Sequence, residues 1–211
     1  MIVKPFGPEI YKTKLTEESR KKLETIILEN VNKPDKKYNK YLVGYVNKEV
    51  DILNDIKNDV LKELHGLVIE YLNNTNSFVR AYSPINQRDI FCTASWGNIQ
   101  EINEFNPIHN HPTCDIVCVT FPKIDIQSKN PYITNNEIKP GSLLFSYGDG
   151  SNFFENSSHV IEPVTGDVYV FPAMLKHGTS PIFSSNDIRI STSTNFCFSE
   201  YFSMRVNPIT K

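Results

Sequence analysis

Ile90-Phe91-Cys92-Thr93-Ala94-Ser95-Trp96 sets Ile90, Cys92, Ala94 and Trp96 on one side of the chain and Phe91, Thr93 and Ser95 on the other. A period of two means strand, because successive side chains of an extended chain point to opposite faces. Further on, Asp115-Ile116-Val117-Cys118-Val119-Thr120-Phe121 is apolar at both parities and reads as a strand covered on both faces. Ser142–Ser146 follows a Pro140-Gly141 turn, Asp167–Phe171 follows Gly166, and Arg189–Phe196 is the last strong strand. Short strands separated by Gly, Pro and Asn turns predict a barrel or sandwich of antiparallel strands over this half.

Upstream the period changes to that of a helix. Glu17–Asn30 follows Thr16, a good N-cap, and starts with two acids that suit a helix N-terminus; Leu23, Ile26, Ile27 and Asn30 recur on one side. A second helix, capped by Asp51, is expected to place Ile52, Ile56, Val60, Leu64, Leu67, Val68, Tyr71 and Leu72 on a broad face, with His65 at its boundary, and to end at Asn73-Asn74-Thr75-Asn76. Charge changes with the period. Residues 1–74 hold 13 Lys/Arg and 12 Asp/Glu, whereas the much longer remainder holds 9 and 12, as suits exposed helix faces followed by buried strands. The expected layout is a single domain, 1–211, with a helical part over about 1–76 packed outside a β-barrel core over about 77–200. The fold class is mainly β with N-terminal helices.

Composition excludes several classes. The chain has 211 residues, 39% hydrophobic and 22% charged, so it can bury a core and is neither disordered nor fibrous. A net charge of −2 argues against nucleic-acid binding by bulk electrostatics. No apolar run approaches the roughly 18 residues of a membrane span, and Met1–Pro8 lacks a signal peptide's apolar stretch. Cys92, Cys114, Cys118 and Cys197 form no Cys-x-x-Cys pair and read as free thiols. A cytoplasmic location is expected.

The chemistry concentrates in Glu104-Phe105-Asn106-Pro107-Ile108-His109-Asn110-His111-Pro112-Thr113-Cys114-Asp115. In an extended segment His109 and His111 share a face, and Asp115 has the same parity. His177 lies between a strand and a turn, as suits a side chain at a barrel mouth. Arg189-Ile190-Ser191 opens the last strand. A buried arginine requires an anion; an ion pair with Asp187 or Asp167 would provide one, and so would a small dicarboxylate gripped by the guanidinium fork with a hydroxyl bond from Ser191. Trp96 is read as core. Tyr147 and the polar loop Asp125–Lys139 are candidate covers for the mouth.

The sequence resembles the Fe(II)/2-oxoglutarate-dependent oxygenases, and most of all a small subgroup met in phages and bacteria. The resemblance rests on Phe105–His111, on Asp115-Ile116-Val117 entering a strand, on Gly166-Asp167 before Phe171-Pro172, and on His177 followed by Arg189-Ile190-Ser191. It covers about Trp96 to Phe198. It implies a double-stranded β-helix (a jelly-roll, cupin-like barrel), iron held by a His-x-Asp/Glu…His triad, and 2-oxoglutarate held by a basic residue on a late strand, here Arg189. With dioxygen, such an enzyme hydroxylates a C–H bond of a prime substrate that the sequence does not identify; in a phage it would work in the host cytoplasm. The chain departs from the pattern at His111, where the family usually has a carboxylate. Either His109, His111 and His177 form an all-histidine site, or Asp115 supplies the carboxylate and one of the paired histidines stays out. The competing class is a non-catalytic barrel that binds a metal or a small acid, or serves as a structural part.

Overall fold

The computed structural model describes residues 1–3, 7–38, 44–75, 90–132, 138–148 and 157–198. Among these residues ten strands form two sheets. The larger contains β1 (Ile2–Val3), β2 (Ile10–Lys14), β3 (Lys48–Asp51), β4 (Ile90–Gln100), β5 (Ile116–Asp125), β8 (Asp167–Pro172) and β10 (Ile188–Phe198), in the order β1-β2-β8-β5-β10-β4-β3. The smaller contains β7 (Ser158–Ile161), β6 (Leu143–Ser146) and β9 (Lys176–Thr179), in that order. Every pairing between these strands is antiparallel.

Alternation along the central strands explains the layers. On β5 and β8, Ile116, Cys118, Val168 and Val170 enter a core shared with the helices, whereas Val117, Val119, Phe121, Tyr169 and Phe171 enter a second core with Leu143 and Phe145 of the small sheet. Both parities are apolar because both faces are covered. On β10, Ile190 and Phe196 turn toward the helices, and by alternation Arg189, Ser191, Ser193 and Asn195 turn the other way. Two hydroxyl pairs stitch the helix-side row: Thr120 with Thr192 and Ser95 with Thr194.

The helices lie on the outer face of the large sheet. Helix α1 runs Glu17–Asn30, as expected, with the Thr16 hydroxyl accepting the Ser19 amide and Leu23 and Ile27 fully buried. The Glu63 carboxylate accepts both the amide and the hydroxyl of Thr16, which ties the start of α1 to the helix that carries Glu63. The second predicted helix is broken: α2 spans Leu53–Ile56 and α3 spans Val60–Asn74, capped by Asp59. Asp51 still caps, its carboxylate accepting the Leu53 amide, but it does so from the end of β3.

The first third is therefore not purely helical, because β1, β2 and β3 complete both ends of the large sheet. The expected boundary near residue 76 falls outside the described residues, as do parts of the loop 125–139 and of the turn after Tyr147. His177 follows β8, as expected, and itself falls within the short strand β9. His65 is half-buried in α3, its ring bonded to the Ile90 carbonyl, in keeping with a boundary role.

Candidate active site

The segment 106–111 is laid along β9. The His109 amide donates to the His177 carbonyl (2.9 Å) and the His177 amide returns the bond (2.8 Å). The Thr179 amide reaches Asn106 O (2.9 Å), and the His111 amide reaches Ala173 O (2.9 Å). This approach needs a glycine at 178: a Cβ there would lie 2.8 Å from Asn106 O and 3.0 Å from Pro107 C.

The backbone ladder brings the side chains of His109, His111 and His177 together, and their nitrogen ligand atoms lie within 4.8 Å of one another. His111 and His177 are buried, His109 partly so. In each ring Nδ1 donates to an oxygen: His109 to Pro107 O (2.7 Å), His111 to Asn195 Oδ1 (2.8 Å), His177 to Leu175 O (2.9 Å). These partners are acceptors, so Nδ1 carries the proton in all three rings and each Nε2 presents a lone pair. The Nε2 atoms of His109 and His111 face each other at 3.2 Å with no proton between them. Burial is the main cause that lowers the basicity of all three, taking His111 down to about 4; contacts among the rings lower His111 and His177 further, and the Nδ1 bonds oppose the shift. Protonation thus does not relieve the crowded lone pairs near neutral pH. Three neutral imidazoles with fixed tautomers converging on one point form a donor set for a borderline divalent cation.

Asp115 stays outside this group. Its Oδ2 accepts the Phe198 amide (2.9 Å), and its backbone bonds to Phe196 and Ala173. The three-residue turn Pro112-Thr113-Cys114 carries it to the start of β5, between β10 and β8, rather than to the cluster.

Arg189 and Ser191 line the same pocket as the histidines, a cavity of about 420 Å3 that also touches Trp96, Asn98 and Asn195. Arg189 is 2% exposed. Its Nε donates to Gly141 O (3.0 Å), its Nη1 to Ser191 Oγ (3.0 Å), and it stacks over Phe121. Gly141 holds the positive φ, 70°, of the turn that presents this carbonyl. Burial lowers the guanidinium to about 10, so it remains a cation at neutral pH. Neither acid considered as its ion-pair partner reaches it: Asp187 receives Gln127 and Ser128, and Asp167 receives Lys12, Lys14 and Tyr169. Among the described residues Arg189 has no carboxylate partner.

Two features escaped the sequence reading. Trp96 is buried, as expected, and it also stacks on His111 (ring centroids 5.7 Å) and lines the pocket, with Tyr38 stacked against it as well (5.2 Å). Asn195 orients His111. Its parity with Arg189 and Ser191 on the last strand was the available signal.

Comparison with known proteins agrees with this geometry. Residues 94–195 match the family described as "Putative 2OG-Fe(II) oxygenase". No curated protein matches the chain. Among solved structures, a Pseudomonas putida prolyl-4-hydroxylase is similar over 90% of this chain and 92% of its own, at 14% identity and a TM-score of 0.54. The viral collagen prolyl hydroxylase of Paramecium bursaria Chlorella virus-1, solved with 2-oxoglutarate, is similar over 89% and 94%, at 11% identity and 0.55. The carbocyclase SnoK from nogalamycin biosynthesis is similar over 89% and 78%, at 9% identity and 0.58. The fold is the double-stranded β-helix, and over residues 94–195 the chain matches the Fe(II)/2-oxoglutarate-dependent oxygenases. It is a non-haem oxygenase that uses Fe(II) and 2-oxoglutarate.

Proposed function

We propose that His109, His111 and His177 hold the Fe(II), that Arg189 and Ser191 bind the distal carboxylate of 2-oxoglutarate, and that the enzyme hydroxylates a C–H bond of a prime substrate admitted beside Trp96. The observation that carries this reading is the meeting of three Nε2 lone pairs with every Nδ1 proton already donated. Bound there, Fe(II) supplies the redox chemistry that couples oxidative decarboxylation of 2-oxoglutarate to oxygenation of the C–H bond. The protein's own part is positional. Pro107 O, Leu175 O and Asn195 Oδ1 hold the rings in place. Arg189 offers a preset cation whose remaining N–H groups suit a carboxylate.

The strands of the first third that complete the large sheet support a single domain over 1–211, with the oxygenase core at about 77–200. Asp115 is assigned no ligand role. A cytoplasmic site of action, the host's if the chain comes from a phage, accords with the four free thiols. No helix among the described residues is long and apolar enough to cross a membrane.

The test is an anaerobic titration of the protein with Fe(II) and then 2-oxoglutarate, following the weak visible charge-transfer band of such a complex. The parent should develop the band, and His177→Ala should not, because a two-ligand site loses most of its metal affinity. A His177→Ala protein that binds Fe(II) as tightly as the parent would place the metal elsewhere.

A further inference from the structure

The site described so far uses the β10 side of the pocket. The β3–β4 edge of the same wall holds a second group of polar atoms. Strand pairing sets Glu49 opposite Asn98 and Asn98 opposite Ser191, so the three form one row across the sheet. Their neighbours Val50 and Gly97 face the helices: Val50 belongs to the helix-side core, and a Cβ on Gly97 would meet Ile27. Alternation therefore turns Glu49 and Asn98 toward the pocket side.

Glu49 is 3% exposed and Asn98 5%, yet among the described residues Glu49 Oε1 and Asn98 Oδ1 have no hydrogen-bond partner. Asn98 lines the pocket directly. Glu49 stands just behind the wall: its Oε1 lies 3.7 Å from where a Cβ on the lining residue Gly44 would be, with Asn106 Oδ1 nearer to that point. Neither Glu49 nor its neighbour Glu104 has an ion pair among the described residues. Glu104 is held by Asn47 and by the Glu101 amide, and Lys48 pairs with Glu101 instead. Burial chiefly, and then the charge of Glu104, pushes the Glu49 carboxyl up to about 7. Buried acceptors without donors are costly and are rarely left without a bound water or ligand.

We infer that Glu49 and Asn98 form the recognition end of the prime-substrate subsite, and that the substrate they select carries a protonated amine, its carbon skeleton lying against Trp96. This rests on the pocket being the oxygenase site. An ammonium group supplies what the wall lacks: several donors, and a positive charge for two neighbouring acids. Arg189 and Ser191, the cross-strand neighbour of Asn98, then take the anionic co-substrate, so the two ligands of opposite charge lie side by side in one cavity.

Trp96 is the only tryptophan of the chain, so its fluorescence reports occupancy of the subsite without turnover. The probes are phenethylamine and its neutral counterpart 2-phenylethanol. They are titrated in mildly alkaline buffer into the full chain, first metal-free and then loaded under nitrogen with Fe(II) and 2-oxoglutarate. The amine should bind about tenfold or more tighter than the alcohol, the ratio given by about 1.4 kcal/mol, and Glu49→Gln should bring the two affinities to within about twofold. If Glu49→Gln does not fold, Asn98→Ala replaces it and must narrow the same ratio. Equal binding of amine and alcohol, no Trp96 response to the amine, or a preference that survives the substitution would overturn the inference. Amine selectivity in a protein that forms no iron–2-oxoglutarate band would sink the metal assignment and leave this subsite standing. The band without selectivity would do the reverse.

Discussion

Asn195 does for His111 what backbone carbonyls do for His109 and His177: it takes the Nδ1 proton and so aims Nε2. A carbonyl is fixed by the fold, whereas this support is a single replaceable side chain. Asn195→Ala should weaken Fe(II) binding by about 10- to 100-fold, measured by competition with a chelator; an unchanged affinity would mean that His111 is aimed by packing against Trp96 alone. Arg189 makes a separate prediction. Truncating a charge-assisted bidentate contact costs about 2–4 kcal/mol, so Arg189→Ala should weaken 2-oxoglutarate binding by roughly 30- to 1,000-fold. Iron affinity should stay near the parent's. Arg189→Lys should recover only part, since a point charge lacks the fork. Equal 2-oxoglutarate affinities in all three proteins, titrated under nitrogen, would remove Arg189 from the site. At this scale much was legible. His109 and His111 share strand parity, and His177 and Arg189 follow in an order that suits a metal and an acid. Asp115 has the same parity, but its carboxylate is held by the Phe198 amide, a partner 83 residues away that no local pattern reveals.

The element that makes the site is β9, four residues long, and it was not foreseen as a strand. Lys176-His177-Gly178-Thr179 has neither alternation nor apolar weight, and its pairing comes from β6 on one side and the segment 106–109 on the other. The same reason hid β1, β2, β3 and β7. They are two to five residues long, and sequences such as Lys12-Thr13-Lys14 or Lys48-Glu49 become strands through partners far along the chain. The long central strands β4, β5 and β10 were legible because their own burial dictates their pattern. The helix break between α2 and α3 was not, because the apolar spacing runs on through it from Ile56 to Val60. Gly178 ties this element to the chemistry. Gly178→Ala would press a methyl against Asn106 O and Pro107, and overpacking of that kind costs typically about 1–3 kcal/mol. Because the segment pushed away carries His109, Fe(II) affinity should fall by more than the modest loss in melting temperature suggests. A variant that loses stability but keeps full iron affinity would show that the 106–109 segment adjusts without moving His109.

At the scale of the whole molecule the acid end of the pocket sets stability against recognition. The folded chain holds Glu49 with a carboxyl near 7, raised from 4.5, chiefly because burial disfavours the charge and next because Glu104 lies close. Between those two values the folded protein binds more protons than the unfolded chain, so the stability contributed through Glu49 falls as pH rises through this window and is fully lost above about 7. A shift of that size corresponds to about 3 kcal/mol, a sizeable part of the 5–15 kcal/mol that typically holds a domain together. Glu49→Gln removes the ionisation while keeping the shape. It should therefore melt several degrees higher than the parent in mildly alkaline buffer, and the two proteins should converge below about pH 4.5, where the parent's acid is neutral in both states. An ammonium ligand should close the same gap from the other side, raising the parent's melting temperature and leaving that of Glu49→Gln almost unchanged. Melting curves of both proteins across this pH range, with and without phenethylamine, check the argument. A parent as stable as Glu49→Gln under alkaline conditions would show that the carboxylate already has its counter-charge in the folded chain, and the acid would then need no cation from a substrate.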